Sequence, residues 1–137
     1  MSGRVFVTGS EPGVSVTLLP SQGSSVRLLG NLRSELARLS GATVRVRGVA
    51  AGKRPSKTFN VESYDVLEVD GEVPSVGTVL RAQDGALRLA GRDTVELADP
   101  PEGLRQKGGA KVWIVGRPVG EKLAVQSYGI IREAGEP

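Results

Sequence analysis

The sequence contains no cysteine and no histidine. Their absence excludes disulfide bonds, thiolate nucleophiles, imidazole acid–base chemistry and zinc sites of the usual kind. It does not fix the cellular compartment, because a chain without cysteine suits reducing and oxidising environments equally. The remaining candidates for catalysis are carboxylates, lysines and serines, and none of them lies in a motif with the spacing of a known site. We therefore expect a protein that is not an enzyme and that binds no metal or cofactor.

Aromatic residues are scarce, at 4% of the chain, so the hydrophobic core must be built from Val, Leu, Ile and Ala. The apolar share of 39% and the charged share of 24% are typical of a soluble globular protein. No segment approaches the roughly 18 apolar residues of a membrane-spanning helix. The first ten residues alternate like a strand and lack the apolar run of a signal peptide. We expect no insertion into a membrane.

An internal repeat is the main positive signal in the sequence. Residues 59–72 (FNVESYDVLEVDGE) recur as residues 123–136 (LAVQSYGIIREAGE), with a Ser-Tyr pair at the same place in both. Self-similarity at a fixed offset indicates how many structural units a chain contains. We predict two domains, residues 1–73 and 74–137, each of them near the lower size limit for an independent core.

In the first domain, alternating apolar and polar residues predict three strands, a helix and two further strands. The predicted strands are residues 4–8, 14–19, 25–29, 42–50 and 59–72. Leu32, Leu36 and Leu39 have helical spacing. Asn31 is the predicted N-cap of this helix and Gly41 its predicted C-cap.

The second domain follows the same order. Its predicted strands are residues 77–81, 86–89, 94–97, 111–116 and 122–132. The segment ADPPEGLRQKGG stands where the helix should be, and we expect a single helical turn there. Asp99 is the predicted N-cap, Pro100 the first helical residue, and Glu102 the carboxylate of a capping box. Leu104 falls at the offset of Leu36.

Three strands, a helix and two strands form an order that resembles the OB-fold, a small Greek-key barrel with its helix between the third and fourth strands. We therefore predict an all-β protein of two tandem five-stranded OB-like barrels, each with a short helix or helical turn between strands 3 and 4. The resemblance is one of element order and points to no individual family. An SH3-like barrel would place its helical turn between the last two strands, where this sequence has the hairpin loops GVAAGKRPSK and GRPVGE.

The two fourth strands have similar inner faces and different outer faces. Arg45 and Arg47 lie on the outer face in the first domain, whereas Trp113 and Val115 take these places in the second. The apolar pair either lies under an inter-domain contact or a loop, or it anchors a protein partner, because Trp is enriched at the centre of interfaces.

Tyr64 and Tyr128 occupy equivalent places in the fifth strands. Small or polar residues beside them predict a bend or a bulge. We expect their rings to lie on the outer side of this corner, with each hydroxyl bonded to a backbone group. They are further candidates for partner binding.

Basic residues gather on the fourth strand of the first domain and on the loop that follows it. They are Arg45, Arg47, Lys53, Arg54 and Lys57, with no acid among them, and the next strand is rich in acids. One interpretation is cross-strand pairing of opposite charges beside a solvated loop. The other is a phosphate-binding loop, because the loop between strands 4 and 5 of an OB-fold lines the oligonucleotide groove.

Our first functional hypothesis is a non-enzymatic module that mediates protein–protein interaction or serves as an accessory subunit of a larger assembly. The alternative is binding of single-stranded nucleic acid through the basic loop. Against it stand a net charge of only +3 and the lack of aromatic residues on the second and third strands, where bases would stack. A third possibility is a small or carbohydrate-like ligand at the crevice between the barrels. The sequence identifies neither the partner nor the oligomeric state.

Overall fold

The computed structural model describes residues 1–9, 14–51 and 57–135. Contacts between residues divide the chain into unit 1, Met1–Gly71, and unit 2, Glu72–Pro137. The domain limits that the sequence suggests, 1–73 and 74–137, stay a prediction.

Unit 1 is a closed five-stranded barrel with one short helix. Its elements are β1 (Ser2–Thr8), β2 (Ser15–Leu19), β3 (Val26–Leu29), α1 (Arg33–Ala37), β4 (Thr43–Ala51) and β5 (Thr58–Glu68). The strands follow the order β1-β2-β3-β5-β4, and β4 closes the barrel by pairing with β1. The β3–β5 pair is parallel, whereas the other pairs are antiparallel.

Unit 2 repeats this topology. Its elements are β6 (Ser75–Arg81), β7 (Leu87–Ala90), β8 (Thr94–Ala98), α2 (Glu102–Arg105), β9 (Lys111–Val119) and β10 (Lys122–Arg132). The strand order is β6-β7-β8-β10-β9, with a parallel β8–β10 pair. Two tandem Greek-key barrels, each with a short helix after its third strand, confirm the predicted OB-like fold.

Each core is aliphatic, as the composition requires. Val5, Leu18 and Leu28 are fully buried in unit 1, and Val79, Val112 and Ile114 are buried in unit 2. Each helix adds one fully buried leucine. Leu36 of α1 and Leu104 of α2 have no exposed surface, and Leu104 belongs to the apolar cluster of its barrel.

The helices begin later than the sequence predicts. Leu32, and not Asn31, precedes the first turn of α1, and its side chain forms no capping bond. In unit 2 the predicted capping box is also wrong. Asp99 has a left-handed backbone with φ 44°, and the extended Pro101 is the N-cap. A residue before proline avoids the α region, so Pro100 cannot start the helix and Glu102 does. The prediction of a single turn is confirmed.

Two register shifts interrupt the long hairpin of each barrel, and the earlier one along the fifth strand is the predicted bulge. In unit 1, Ser63 lies opposite Arg47 and Val61 lies opposite Gly48, so Glu62 has no partner between them. In unit 2, Gln126 is the extra residue. One additional residue reverses the alternation of the strand that carries it. The bulges therefore turn the two tyrosines inward.

Candidate functional site

Tyr64 and Tyr128 join the fifth strand of each barrel to its helix. The Tyr64 hydroxyl donates a hydrogen bond to Oε1 of Glu35 at 2.6 Å, and Glu35 is only 5% exposed. The Tyr128 ring packs against the buried core of unit 2, and a methyl group added to Gly103 would collide with its hydroxyl. The predicted outward placement is therefore wrong, and in unit 1 the acceptor is a carboxylate, not the backbone. These contacts tie both tyrosines to the interior of their barrels, and their part in partner binding stays a prediction.

Trp113 and Val115 lie on β9 with the outward alternation that the sequence predicts. Trp113 is paired in register with Gly129 of β10, and its indole ring lies over that glycine, where an added Cβ would collide with it. An aromatic ring that covers a glycine on the next strand shields bare backbone from water. Trp113 is partly exposed, but Val115 is only 8% exposed. Their role as a partner-binding anchor stays a prediction.

The basic residues of unit 1 separate into different environments. Arg47 forms an ion pair with Asp65 of β5, with 2.9 Å between Nη2 and Oδ2, in agreement with cross-strand pairing. Arg45 lies opposite both Ser2 and Asp65 and is exposed. Lys53 and Arg54 lie outside the described residues. Lys57 is exposed and directly precedes β5.

Lys57 contributes to a shallow groove on the outer face of β2 and β3. The residues that line it are Ser15, Thr17, Ser24, Ser25, Arg27 and Lys57, and we call it the β2–β3 groove. Pairing of Thr17 with Arg27 sets the two strands side by side. The Arg27 backbone N–H donates to the carbonyl of Lys57 at 3.0 Å, which fixes this lysine at the edge of the groove.

The chemistry of the β2–β3 groove suits an anion. It holds two cations, four hydroxyl groups and no carboxylate among its six lining residues. The Arg27 guanidinium donates to the Ser15 hydroxyl at 3.4 Å, and within the described residues it forms no ion pair. Guanidinium, ammonium and hydroxyl groups are the side chains that proteins use most often against phosphate oxygens.

Phe6 lies beside this groove and is not among the site residues that the sequence predicted. Phe6 of β1 is 38% exposed and pairs in register with Thr17, which in turn pairs with Arg27. The three side chains therefore form a row across β1, β2 and β3. Stacking residues were expected only on the second and third strands. The alternation in RVFVT places Phe6 and Val5 on opposite faces of the strand. Because Val5 is fully buried, Phe6 lies on the outer face.

Metal-binding clusters and membrane-spanning helices are both absent from residues 1–9, 14–51 and 57–135. No group of three or more acidic side chains there could hold a metal ion. In the same residues we find no helix with the length and apolar character to cross a membrane.

Comparison with solved structures returns the single-stranded DNA binding protein from Thermus aquaticus. A deletion mutant of that protein is 18% identical, with a TM-score of 0.34, over 98% of this chain and 92% of the other. The wild-type form is 16% identical, with a TM-score of 0.30, over 98% and 89%. No protein-family model and no curated protein matches this chain. The fold assignment rests on the strand order described above.

Proposed function

We propose that this protein is a non-enzymatic binding module and that single-stranded nucleic acid is its ligand, held in the β2–β3 groove of unit 1. The observation that supports this most directly is the state of Arg27. Its guanidinium faces an open groove lined by hydroxyl groups and has only a hydroxyl, at 3.4 Å, as a side-chain partner in the described residues. A phosphate can occupy the remaining donors of Arg27 without breaking an existing ion pair.

Each groove residue has a defined part in this proposal. Arg27 and Lys57 contact successive phosphates, and the serine and threonine hydroxyls donate to phosphate oxygens. Phe6 offers an exposed ring on which a base can stack, since stacking on aromatic side chains tolerates any base. A duplex keeps its bases stacked inside the helix, so a groove with a stacking ring favours a single strand.

The proposed site overlaps only in part with the basic loop that the sequence analysis indicated. Lys57 lies in the groove, whereas Arg45 and Arg47 belong to β4 and do not line it. The protein-interaction hypothesis receives less support, because Val115 is buried and Trp113 covers Gly129. It stays a prediction, as does a small ligand between the barrels.

The proposal is tested with fluorescence anisotropy of a labelled oligothymidylate. The double variant Arg27→Glu with Lys57→Glu should weaken binding by more than about tenfold, because two attractions to phosphate become repulsive. The slope of log affinity against log salt should also become shallower by about 0.7 for each phosphate that is no longer neutralised.

The matched control is Arg81→Glu with Arg117→Glu, which reverses the same number of charges at two exposed positions of unit 2. It should change affinity only slightly. Equal weakening in the control and in the double variant would show non-specific attraction by net charge, and the groove would not be the site.

A further inference from the structure

The six lining positions of the β2–β3 groove have counterparts in unit 2, because equivalent strands pair in the same register within each barrel. Val5 and Val79 make the same pair of backbone bonds, to Gly41 and Ala42 in one case and to Gly109 and Ala110 in the other. Thr17 of β2 pairs with Arg27 of β3 in unit 1, and Arg88 of β7 pairs with Glu96 of β8 in unit 2. Arg27 then pairs with Thr58 as Glu96 pairs with Lys122. These pairs assign the equivalent strand residues, and the remaining counterparts follow by counting along the chain from them.

The equivalent positions differ sharply in charge. The residues of unit 2 that correspond, in order, to Ser15, Thr17, Ser24, Ser25, Arg27 and Lys57 are Ala86, Arg88, Asp93, Thr94, Glu96 and Glu121. Unit 1 has two cations and no acid at these positions, whereas unit 2 has one cation and three acids. In particular, acids replace both of the cations that we assign to phosphate contacts, Arg27 and Lys57.

Glu96 also engages the cations around it. Its carboxylate forms ion pairs with Lys122, at 2.8 Å from Nζ to Oε2, and with Arg88, at 4.0 Å from Nη2 to Oε1. The hydrogen bond from Lys122 to Glu96, together with the negative charge of Glu96, raises the pKa of the lysine above its usual value. A phosphate on this face would have to displace these ion pairs and would then lie against the Glu96 carboxylate, which repels it.

We propose that Glu96, assisted by Asp93 and Glu121, excludes nucleic acid from unit 2, so that one chain holds one stretch of strand, in unit 1. This inference rests on the proposed function. The acids act as a specificity device, because like charge at a potential binding face costs more than a missing attraction. Removal of the acids leaves Arg88 and Lys122 available to phosphate, on the same framework that presents Arg27 in unit 1.

The experiment uses the full chain and places Glu96→Gln with Glu121→Gln in two backgrounds. In the Arg27→Glu, Lys57→Glu background, the two glutamines should restore binding of labelled oligothymidylate by at least about tenfold, with a salt slope steeper by about 0.7 for each additional phosphate that is neutralised. In the otherwise natural chain, the same pair should increase the number of nucleotides bound per chain at saturation.

The control is Glu72→Gln with Glu102→Gln, which removes two exposed negative charges from unit 2 at positions that are not groove counterparts. It should restore nothing. Recovery in the control equal to that of the test pair would overturn the inference, because total charge would then explain both results. A natural chain that binds, a unit 1 variant that does not, and no recovery with the glutamines would overturn it while leaving the proposed function intact.

Two further checks keep the test decisive. Circular dichroism and thermal unfolding establish that each variant is folded. Glu121→Lys copies Lys57 at an exposed position of unit 2 and leaves the Glu96 ion pairs in place. It should give a smaller recovery than the two glutamines, and no recovery with either change would refute the inference. A natural chain that binds no oligothymidylate would remove the proposed function itself and this inference with it.

Discussion

At the scale of single residues, Phe6 matters because its aromatic ring lies on the outer, solvent-exposed face of β1. It is 38% exposed beside Thr17. The equivalent position in unit 2, opposite Arg88, is Leu80, which is 47% exposed. The two barrels therefore present an aromatic ring at one site and an aliphatic side chain at the other.

This difference gives a matched prediction. Phe6→Ala should weaken binding of labelled oligothymidylate by about 1–3 kcal/mol, the usual cost of removing one base–aromatic stack. Leu80→Ala should leave the affinity unchanged, because unit 2 does not hold the strand. Anisotropy titrations of the two variants make the comparison, and equal affinities would mean that no base stacks on Phe6.

The two tyrosines provide a second residue pair. Tyr64 donates to the buried carboxylate of Glu35, whereas Tyr128 meets Gly103 at the matching place on α2. Tyr64→Phe should lower the free energy of unfolding by about 1.5–3 kcal/mol, the usual range for a hydrogen bond to a charged group. Tyr128→Phe should cost less, since α2 offers no carboxylate there. Urea unfolding followed by circular dichroism measures both, and similar decreases would contradict this account.

At the scale of secondary-structure elements, the helices α1 and α2 matter for the one leucine that each buries. They have 5 and 4 residues, too short to be stable alone. They persist because Leu36 and Leu104 are fully buried. Tertiary packing therefore stabilises each helical turn, and local capping contributes little.

Leu36→Ala and Leu104→Ala should each lower the free energy of unfolding by about 2–5 kcal/mol, because apolar packing is removed and a cavity remains. Leu19→Ala is the control, since Leu19 is 44% exposed on β2 and its truncation leaves no cavity. The measurement is again urea unfolding. Decreases below about 1 kcal/mol at the buried positions would show that the packing of these two leucines does not stabilise the barrels.

The bulges at Glu62 and Gln126 are the other elements with a large effect. Each one shifts the side-chain alternation of a long strand by one residue. Odd-numbered residues face the core on one side of the bulge and even-numbered residues on the other. Glycine lies opposite each bulged stretch, and side chains on Gly48 or Gly116 would collide with the partner strand's backbone. The bulge and the glycine are thus two parts of one feature.

At the scale of the whole molecule, the net charge of +3 conceals a difference between equivalent faces. The groove of unit 1 carries two cations, and its counterpart in unit 2 carries three acids beside one cation. In the net charge of the whole chain, the positive face of unit 1 and the acidic face of unit 2 partly cancel. Binding of a charged polymer depends on the local arrangement of charge, so the small total is a poor guide to function.

The sequence alone determined the number of units, the order of their elements and the composition of their cores. Repeats, turn signals and alternation are local properties, and the closed strand order β1-β2-β3-β5-β4 agrees with them in both units. Of the three leucines whose helical spacing predicted a helix in unit 1, Leu36 and Leu39 are buried.

Only the tertiary structure decided which side chains meet. A one-residue bulge turned Tyr64 inward, and pairing between β1, β2 and β3 placed Phe6, Thr17 and Arg27 in one row. The contrast between Arg27 and Glu96 likewise emerges from register, since these residues become equivalent only when the strands of both barrels are aligned. Contacts between strands far apart in the chain depend on pairing and on bulges, which alternation within a single strand does not encode.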